Sequence, residues 1–154
     1  RPFENVVEMN ENIIANWNSV VTDADEVYVL GDFGALTYWD VSGRLIDILA
    51  ELNGIKYLVK GNHDTESNES YRQAGFAEVY DKPVILEHFW ILSHEPLYVC
   101  ENMPYANVFG HVHNSPLYKD YSRQHYCVSV ERIGYKPIAF AEISESVKRG
   151  NGNI

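Results

Sequence analysis

At 154 residues, with 45% hydrophobic and 13% aromatic content, the chain is long enough to bury one core and short for two, so residues 1–154 read as a single domain. Twelve basic against twenty-two acidic residues leave a formal charge of −10, which repels polyanions and argues against a long nucleic acid as partner. No apolar run approaches the roughly 18 to 20 residues that span a bilayer, and no basic stretch followed by an apolar one marks a signal peptide, so no membrane is expected and the chain reads as soluble and cytoplasmic.

The sequence begins Arg1-Pro2-Phe3, without an initiating Met and only a few residues before the first helix signal. Asn5 followed by Glu8 resembles a capping box. Val6, Met9, Ile13, Trp17 and Val20 recur at spacings of three and four, predicting a helix with one buried face and Trp17 in the core. Residues 26–30 read as a strand that ends at Gly31-Asp32-Phe33. Val41, Leu45, Ile48, Leu49 and Leu52 predict a second helix, stopped by Asn53-Gly54 ahead of a strand over 55–59. This strand, helix, strand unit predicts a parallel pair, with Asp32 and Asn62 at one sheet edge.

A shorter helix over 69–73 is expected to stop at Gly75. Residues 83–86 and 89–92 predict a hairpin turning at Glu87-His88, which delivers Ser93-His94-Glu95-Pro96 at a strand end and leaves His88 as a turn residue. A strand over 106–109 runs into Gly110-His111-Val112-His113. Alternation along an extended segment would put His111 and His113 on one side, with Val112 packed behind them. Residues 126–130 and 137–141 read as closing strands, 142–149 as a last helix and 150–154 as a frayed tail. Repeats, low-complexity segments and linkers are absent from the sequence, in keeping with one domain.

Four separate strand ends therefore carry side chains that metals use. Asp32, Asn62, His94, His111 and His113 offer carboxylate oxygen, amide oxygen and imidazole nitrogen, a hard to borderline set suited to Mn, Fe, Zn or Co rather than to a soft thiolate site. Singly, each has a bland reading: a His at a strand end is commonly a satisfied structural residue, and an Asn after Gly a turn former. Their convergence, each beside Gly, Pro or Ser, favours a metal site. Cys100 and Cys127 are too few for a disulfide framework and too far apart for a zinc knuckle, and read as reduced thiols.

Gly31-Asp32, Gly61-Asn62-His63-Asp64, His94 and Gly110-His111-Val112-His113, in this order, resemble the second to fifth blocks of the calcineurin-like metallophosphoesterases, in particular the small phage-type and bacterial members. The match spans residues 31–113, and its specific part is Gly-Asn-His-Asp with Gly-His-Val-His downstream. The resemblance implies an α/β fold with a metallophosphoesterase-like layered core of mixed β-sheets flanked by helices. It implies two divalent ions, Mn first and Fe, Zn, Co or Ni as the other candidates. Asp32 would bridge them, Asn62, His94 and His111 would complete one site, and His113 would belong to the other. His63 would be the general acid beside the leaving group, with Asp64 holding its imidazole.

The reaction so implied is hydrolysis of a small or nucleotide-like phosphodiester or phosphomonoester. Two dications about 3.5 to 4 Å apart would activate a water as hydroxide and clamp the phosphoryl oxygens, while His63 protonates the departing alkoxide. Those enzymes open with an Asp-x-His block on a first strand, and none precedes Gly31. With the missing Met, this reads as an N-terminal truncation that removes roughly twenty residues, one strand and one loop. One metal set would then be full and the other half complete, so one ion is expected to bind more tightly than the second and activity to be impaired.

Two other classes stay open. The chain could be a catalytically impaired binding scaffold, although the retained His63, Asp64, His111 and His113 weigh against it. A serine-type hydrolase on Ser93 and His94 would place adjacent residues on opposite faces of a strand and lacks a glycine-flanked nucleophile elbow. The acidic balance favours a small phosphoester as substrate. Tyr98, Tyr105, Tyr118 and Tyr121 flank the site loops as candidate base-stacking or packing residues, and Arg44 and Arg123 are candidate phosphate clamps. Oligomeric state is not set by the sequence.

Overall fold

The computed structural model describes residues 2–36, 39–40, 43–100, 103–118 and 122–150. In chain order the elements are α1 (Val6–Val20), β1 (Glu26–Val29), β2 (Trp39–Asp40), β3 (Gly43–Arg44), α2 (Leu45–Glu51), β4 (Ile55–Val59), α3 (Asn68–Ala74), β5 (Glu78–Tyr80), β6 (Val84–Leu86), β7 (Trp90–Ser93), β8 (Ala106–Phe109), β9 (His125–Cys127) and α4 (Phe140–Lys148).

Helix α1 starts where the capping signal predicts. Asn5 Oδ1 accepts from Glu8 N at 2.9 Å, and the Glu8 carboxylate accepts from Glu4 N at 2.8 Å, one residue before the partner a capping box would use. The expected buried face is corrected, because no residue of α1 is buried. Trp17 is half-buried and donates from Nε1 to Asn53 O at 2.9 Å, while Asn18 Nδ2 donates to Glu51 O and Asn18 Oδ1 accepts from Asn53 N. Polar straps to the turn between α2 and β4 thus fasten this helix.

Strand β1 pairs with β4, and β4 with β5, all parallel, because the chain returns through α2 and α3 between them. Strand β5 escapes a sequence reading: it is three residues, Glu-Val-Tyr, of which Val79 is buried. The predicted hairpin is present as β6 and β7, joined by residues 87–89, with Glu87 at φ 53° and His88 at φ 58° at the centre of a turn closed by Phe89 N to Leu86 O at 3.0 Å. Strands β7, β8 and β9 then add in parallel, giving the order β6-β7-β8-β9. Their almost continuous burial is the pattern of parallel strands covered on both faces.

Alternation along β4 sends neighbouring side chains to different cores. Leu58 joins Leu36, Leu49, Tyr71, Phe76 and Val79 under α2 and α3. Val59 joins Leu30, Trp90, Leu92, Val108, Tyr126, Ile143 and Val147, which tie the two sheets and α4 together. Residues 137–141 are not a strand. The chain turns after β9, with Arg132 N bonded to Ser129 O at 2.8 Å and Tyr135 N to Val130 O at 2.8 Å, and α4 already begins at Phe140. Val41, Tyr121 and 151–154 lie outside the described residues.

The fold expectation is corrected as well. In place of a metallophosphoesterase-like core of mixed sheets, the described residues form a small mixed α/β fold with a purely parallel three-stranded sheet, a mixed four-stranded sheet and a two-stranded antiparallel pair, β2 with β3. Within each sheet the strands are laid down in chain order, each beside the last, a solenoid-like progression that follows from short local crossovers. Among the described residues, no helix is long and apolar enough to cross a membrane.

Candidate metal centre

Strand ends position the candidate ligands. Leu30 follows β1 and leads into Gly31 (φ 84°) and Asp32 (φ 57°), Lys60 leads from β4 into Gly61 and Asn62, Ser93 ends β7 before His94, and Gly110 leads from β8 into His111 (φ 61°). The glycines permit these ends to close on one another. A Cβ on Gly31 would overlap the His94 ring and lie 2.8 Å from Gly61 Cα. One on Gly61 would lie 2.6 Å from Asp32 N and 2.7 Å from His94 Cε1.

His94, at 6% exposure, is the hub. Its Nδ1 lies 2.8 Å from Leu30 O, and a carbonyl only accepts, so Nδ1 carries the proton and Nε2 presents a lone pair in the neutral ring. That lone pair faces Asn62 Oδ1 at 3.1 Å, Asp32 Oδ2 at 3.3 Å and His111 Nδ1 at 2.9 Å. The ligand atoms of Asp32, His94 and His111 all lie within 4.8 Å of one another. Asp32 Oδ1 accepts from the His63 backbone N–H at 3.0 Å, which leaves Oδ2 for the centre. Electron-rich atoms crowded this closely repel unless a proton or cation lies among them, and the mixed N/O set suits a borderline divalent ion. The residues present therefore fit a metal ion.

The remaining site residues are placed differently from expectation. Asp64, at 5% exposure, accepts from Asp32 N and Gly61 N through Oδ2, each at 2.8 Å, and from Gly34 N through Oδ1 at 2.7 Å. Its carboxylate ties two strand-end loops together instead of holding the His63 imidazole. His63 itself is exposed at the rim.

The segment after β8 is not extended, because His111 and His113 (φ 50°) are both left-handed and Val112 N turns back to Gly110 O at 2.7 Å. Alternation therefore does not bring the two histidines together, although Val112 is buried as expected. His113 stands outside the Asp32, His94, His111 group and pairs through Nδ1 with Glu131 Oε1 at 2.9 Å.

Glu131 and Arg132, which donates from Nε to His113 O at 2.8 Å, were not legible as site residues. Only their fold neighbourhood marks them. Tyr71 was also missed: its hydroxyl lies 2.9 Å from Gly34 O and 2.8 Å from Glu66 Oε2, and burial, with the Glu66 bond, pushes its pKa far up. It anchors the loop that follows Asp32.

Ser93 is buried, donates to Glu95 O at 2.6 Å and accepts from Asn107 Nδ2 at 2.8 Å, a structural role that leaves no nucleophile there. Arg44 pairs with Asp47 at 3.3 Å, and the Arg123 side chain packs near Gly150, so neither is placed as a phosphate clamp. Tyr98 is 93% exposed on a backbone held at both sides, with Leu97 O accepting from His125 Nε2 at 2.7 Å and Val99 O from Ser122 Oγ at 2.8 Å. Tyr118 is exposed and Tyr105 half-buried.

Fold and site together define a small mixed α/β protein with a convergent Asp/Asn/His cluster at its strand ends. No family model matches the chain. It is 33% identical over 156 residues to the uncharacterized protein MJ1445 of Methanocaldococcus jannaschii, across 97% of this chain and 81% of that protein, and it belongs to that protein's family. The crystal structure of AQ665 from Aquifex aeolicus, a protein of unknown function, matches with a TM-score of 0.69 at 26% identity, over 94% of this chain and 88% of that one. The fold is thus that of a protein of unknown function, which replaces the metallophosphoesterase expectation.

Proposed function

We propose that the chain is a metal-dependent phosphoester hydrolase whose principal cation is held by Asp32, Asn62, His94 and His111. What carries this reading is the His94 Nε2 lone pair facing Asn62 Oδ1 at 3.1 Å and Asp32 Oδ2 at 3.3 Å, an arrangement that a cation stabilises. When bound, a divalent ion supplies charge that acidifies water and polarises a phosphoryl oxygen. Leu30 O fixes the His94 tautomer, and the His63 N–H fixes which Asp32 oxygen faces the centre. His63, exposed at the rim, is the side chain suited to give a proton to a departing alkoxide.

Mn is the first candidate ion, with Fe, Zn, Co or Ni compatible with the same donors. A second ion, bound more weakly, would draw on His113. A small phosphodiester or phosphomonoester fits the charge of −10 better than a polynucleotide, and Tyr98 offers an exposed ring for a nucleotide-like substrate. Cytoplasmic action goes with the exposed thiol of Cys100.

The test is hydrolysis of bis(4-nitrophenyl) phosphate and 4-nitrophenyl phosphate with Mn²⁺, with and without EDTA. Turnover should vanish with EDTA and in His94→Ala, and fall about 10²- to 10⁴-fold in His63→Ala. Turnover that survives chelation and His94→Ala overturns the reading. A second reading, a metal-stabilised scaffold, is favoured by the engagement of Asp64 with backbone and of His113 with Glu131. Tight Mn²⁺ binding without turnover of either ester would select it.

A further inference from the structure

Strand β9 runs parallel to β8, with Phe109 opposite Cys127, and Val128 N continues the ladder to Phe109 O at 2.7 Å. The chain leaving β9 therefore travels beside the chain leaving β8, and its turn at Ser129 brings Glu131 and Arg132 against His113. We infer that Glu131 and Arg132 are positioning residues for His113, fixing its tautomer and backbone so that Nε2 is the ring nitrogen left to act as a ligand. The ligand role rests on the metal-dependent reading above; the positioning does not.

Three observations carry the inference. Glu131 Oε1 lies 2.9 Å from His113 Nδ1, and an ionised carboxylate only accepts, so Nδ1 carries the proton and Nε2 keeps its lone pair. The carboxylate is the more buried partner, since the Glu131 side chain is 13% exposed and that of His113 60%. Arg132 grips the backbone on both sides of the ring's neighbour, from Nε to His113 O at 2.8 Å and from Nη2 to Ser115 O at 3.2 Å, which holds His113 at its left-handed φ of 50°. A carboxylate behind an imidazole sets its tautomer and raises its basicity as a ligand, and losing such a partner typically weakens metal binding about 10- to 100-fold.

Long-range ¹H–¹⁵N correlation spectra of the metal-free, ¹⁵N-histidine-labelled chain read the tautomer directly. His113 should be the Nδ1–H form in the wild type and in Glu131→Gln, whose amide oxygen still accepts, and should gain the Nε2–H form in Glu131→Ala. An Nε2–H ring in the wild type overturns the positioning. Calorimetric titration with Mn²⁺ should show the weaker of two binding steps lost or weakened about 10- to 100-fold in Glu131→Ala, with the tighter step unchanged. An unchanged weaker step, or a wild type with a single binding step, overturns the ligand role. A wild type that binds no Mn²⁺ sinks the metal-dependent reading and the ligand role with it, while the tautomer spectra still decide whether Glu131 holds the ring.

Discussion

Backbone strain collects on the residues that carry the candidate chemistry. Six non-glycine residues among those described have positive φ: Glu87 and His88 make the hairpin turn, Tyr135 follows Gly134, and the other three are Asp32, His111 and His113. Such conformations typically cost about 1–3 kcal/mol each and persist where the surroundings over-determine them. Asp64 does part of that work for Asp32, through the three backbone N–H groups it accepts. Asp64→Asn replaces one acceptor oxygen by a donor and leaves at least one buried N–H unmatched, so urea unfolding of the metal-free chain should show a loss of about 1–3 kcal/mol. Unchanged stability with lowered turnover would instead assign Asp64 to His63, the role expected of it from motif resemblance.

At the scale of elements, the contrast between α1 and β4 separates periodicity from burial. Leu58 is fully buried beneath α2 and α3, whereas Val6 at the start of α1 is exposed. Leu58→Ala should destabilise by about 2–5 kcal/mol and Val6→Ala by less than about 0.5 kcal/mol, measured by urea denaturation. A large loss at Val6 would mean that α1 buries a face after all.

Two carboxylates at strand starts add to the acid limb of stability. The Thr22 backbone N–H, then its hydroxyl, hold the Asp25 carboxyl below its usual range, and the Val79 N–H, then Arg72, do the same for Glu78. A folded pKa below the unfolded one contributes stability that is present above the unfolded carboxylate range and is lost as pH falls through the folded value. Melting temperature should therefore drop as the pH is lowered through and below that range, and Asp25→Asn with Glu78→Gln should flatten the drop. An equally steep acid limb in the double variant would place its origin elsewhere.

For the whole molecule, the metal binding proposed above would be linked to folding. An ion that binds only the folded chain stabilises it by about 2.7 kcal/mol at a hundred times its Kd. Mn²⁺ should raise the melting temperature of the wild type and leave that of His94→Ala unmoved; a similar rise in both would locate the bound ion away from this cluster. The formal charge of −10 should make added salt relieve repulsion toward a small anionic ester, lowering its KM.

Local chemistry was legible in the sequence wherever it was complete within a few residues. The Asn5 cap, the Glu87-His88 turn, the helix over 69–73 with its Gly75 stop and the parallel pairing of β1 with β4 across α2 follow from spacing and short connections. So do the strand-end positions of Asp32, Asn62, His94 and His111, since each sits next to an apolar run that must be buried. What only the tertiary structure decided depends on partners far along the chain. Asp64 meets Asp32 across 32 positions and His113 meets Glu131 across 18, so their roles are set by which loops the sheets bring together. Residues 137–141 have strand composition but no ladder to join, and β5 has a ladder with almost no composition to announce it. A side chain's type limits which bonds it can form, and packing selects the one it does form.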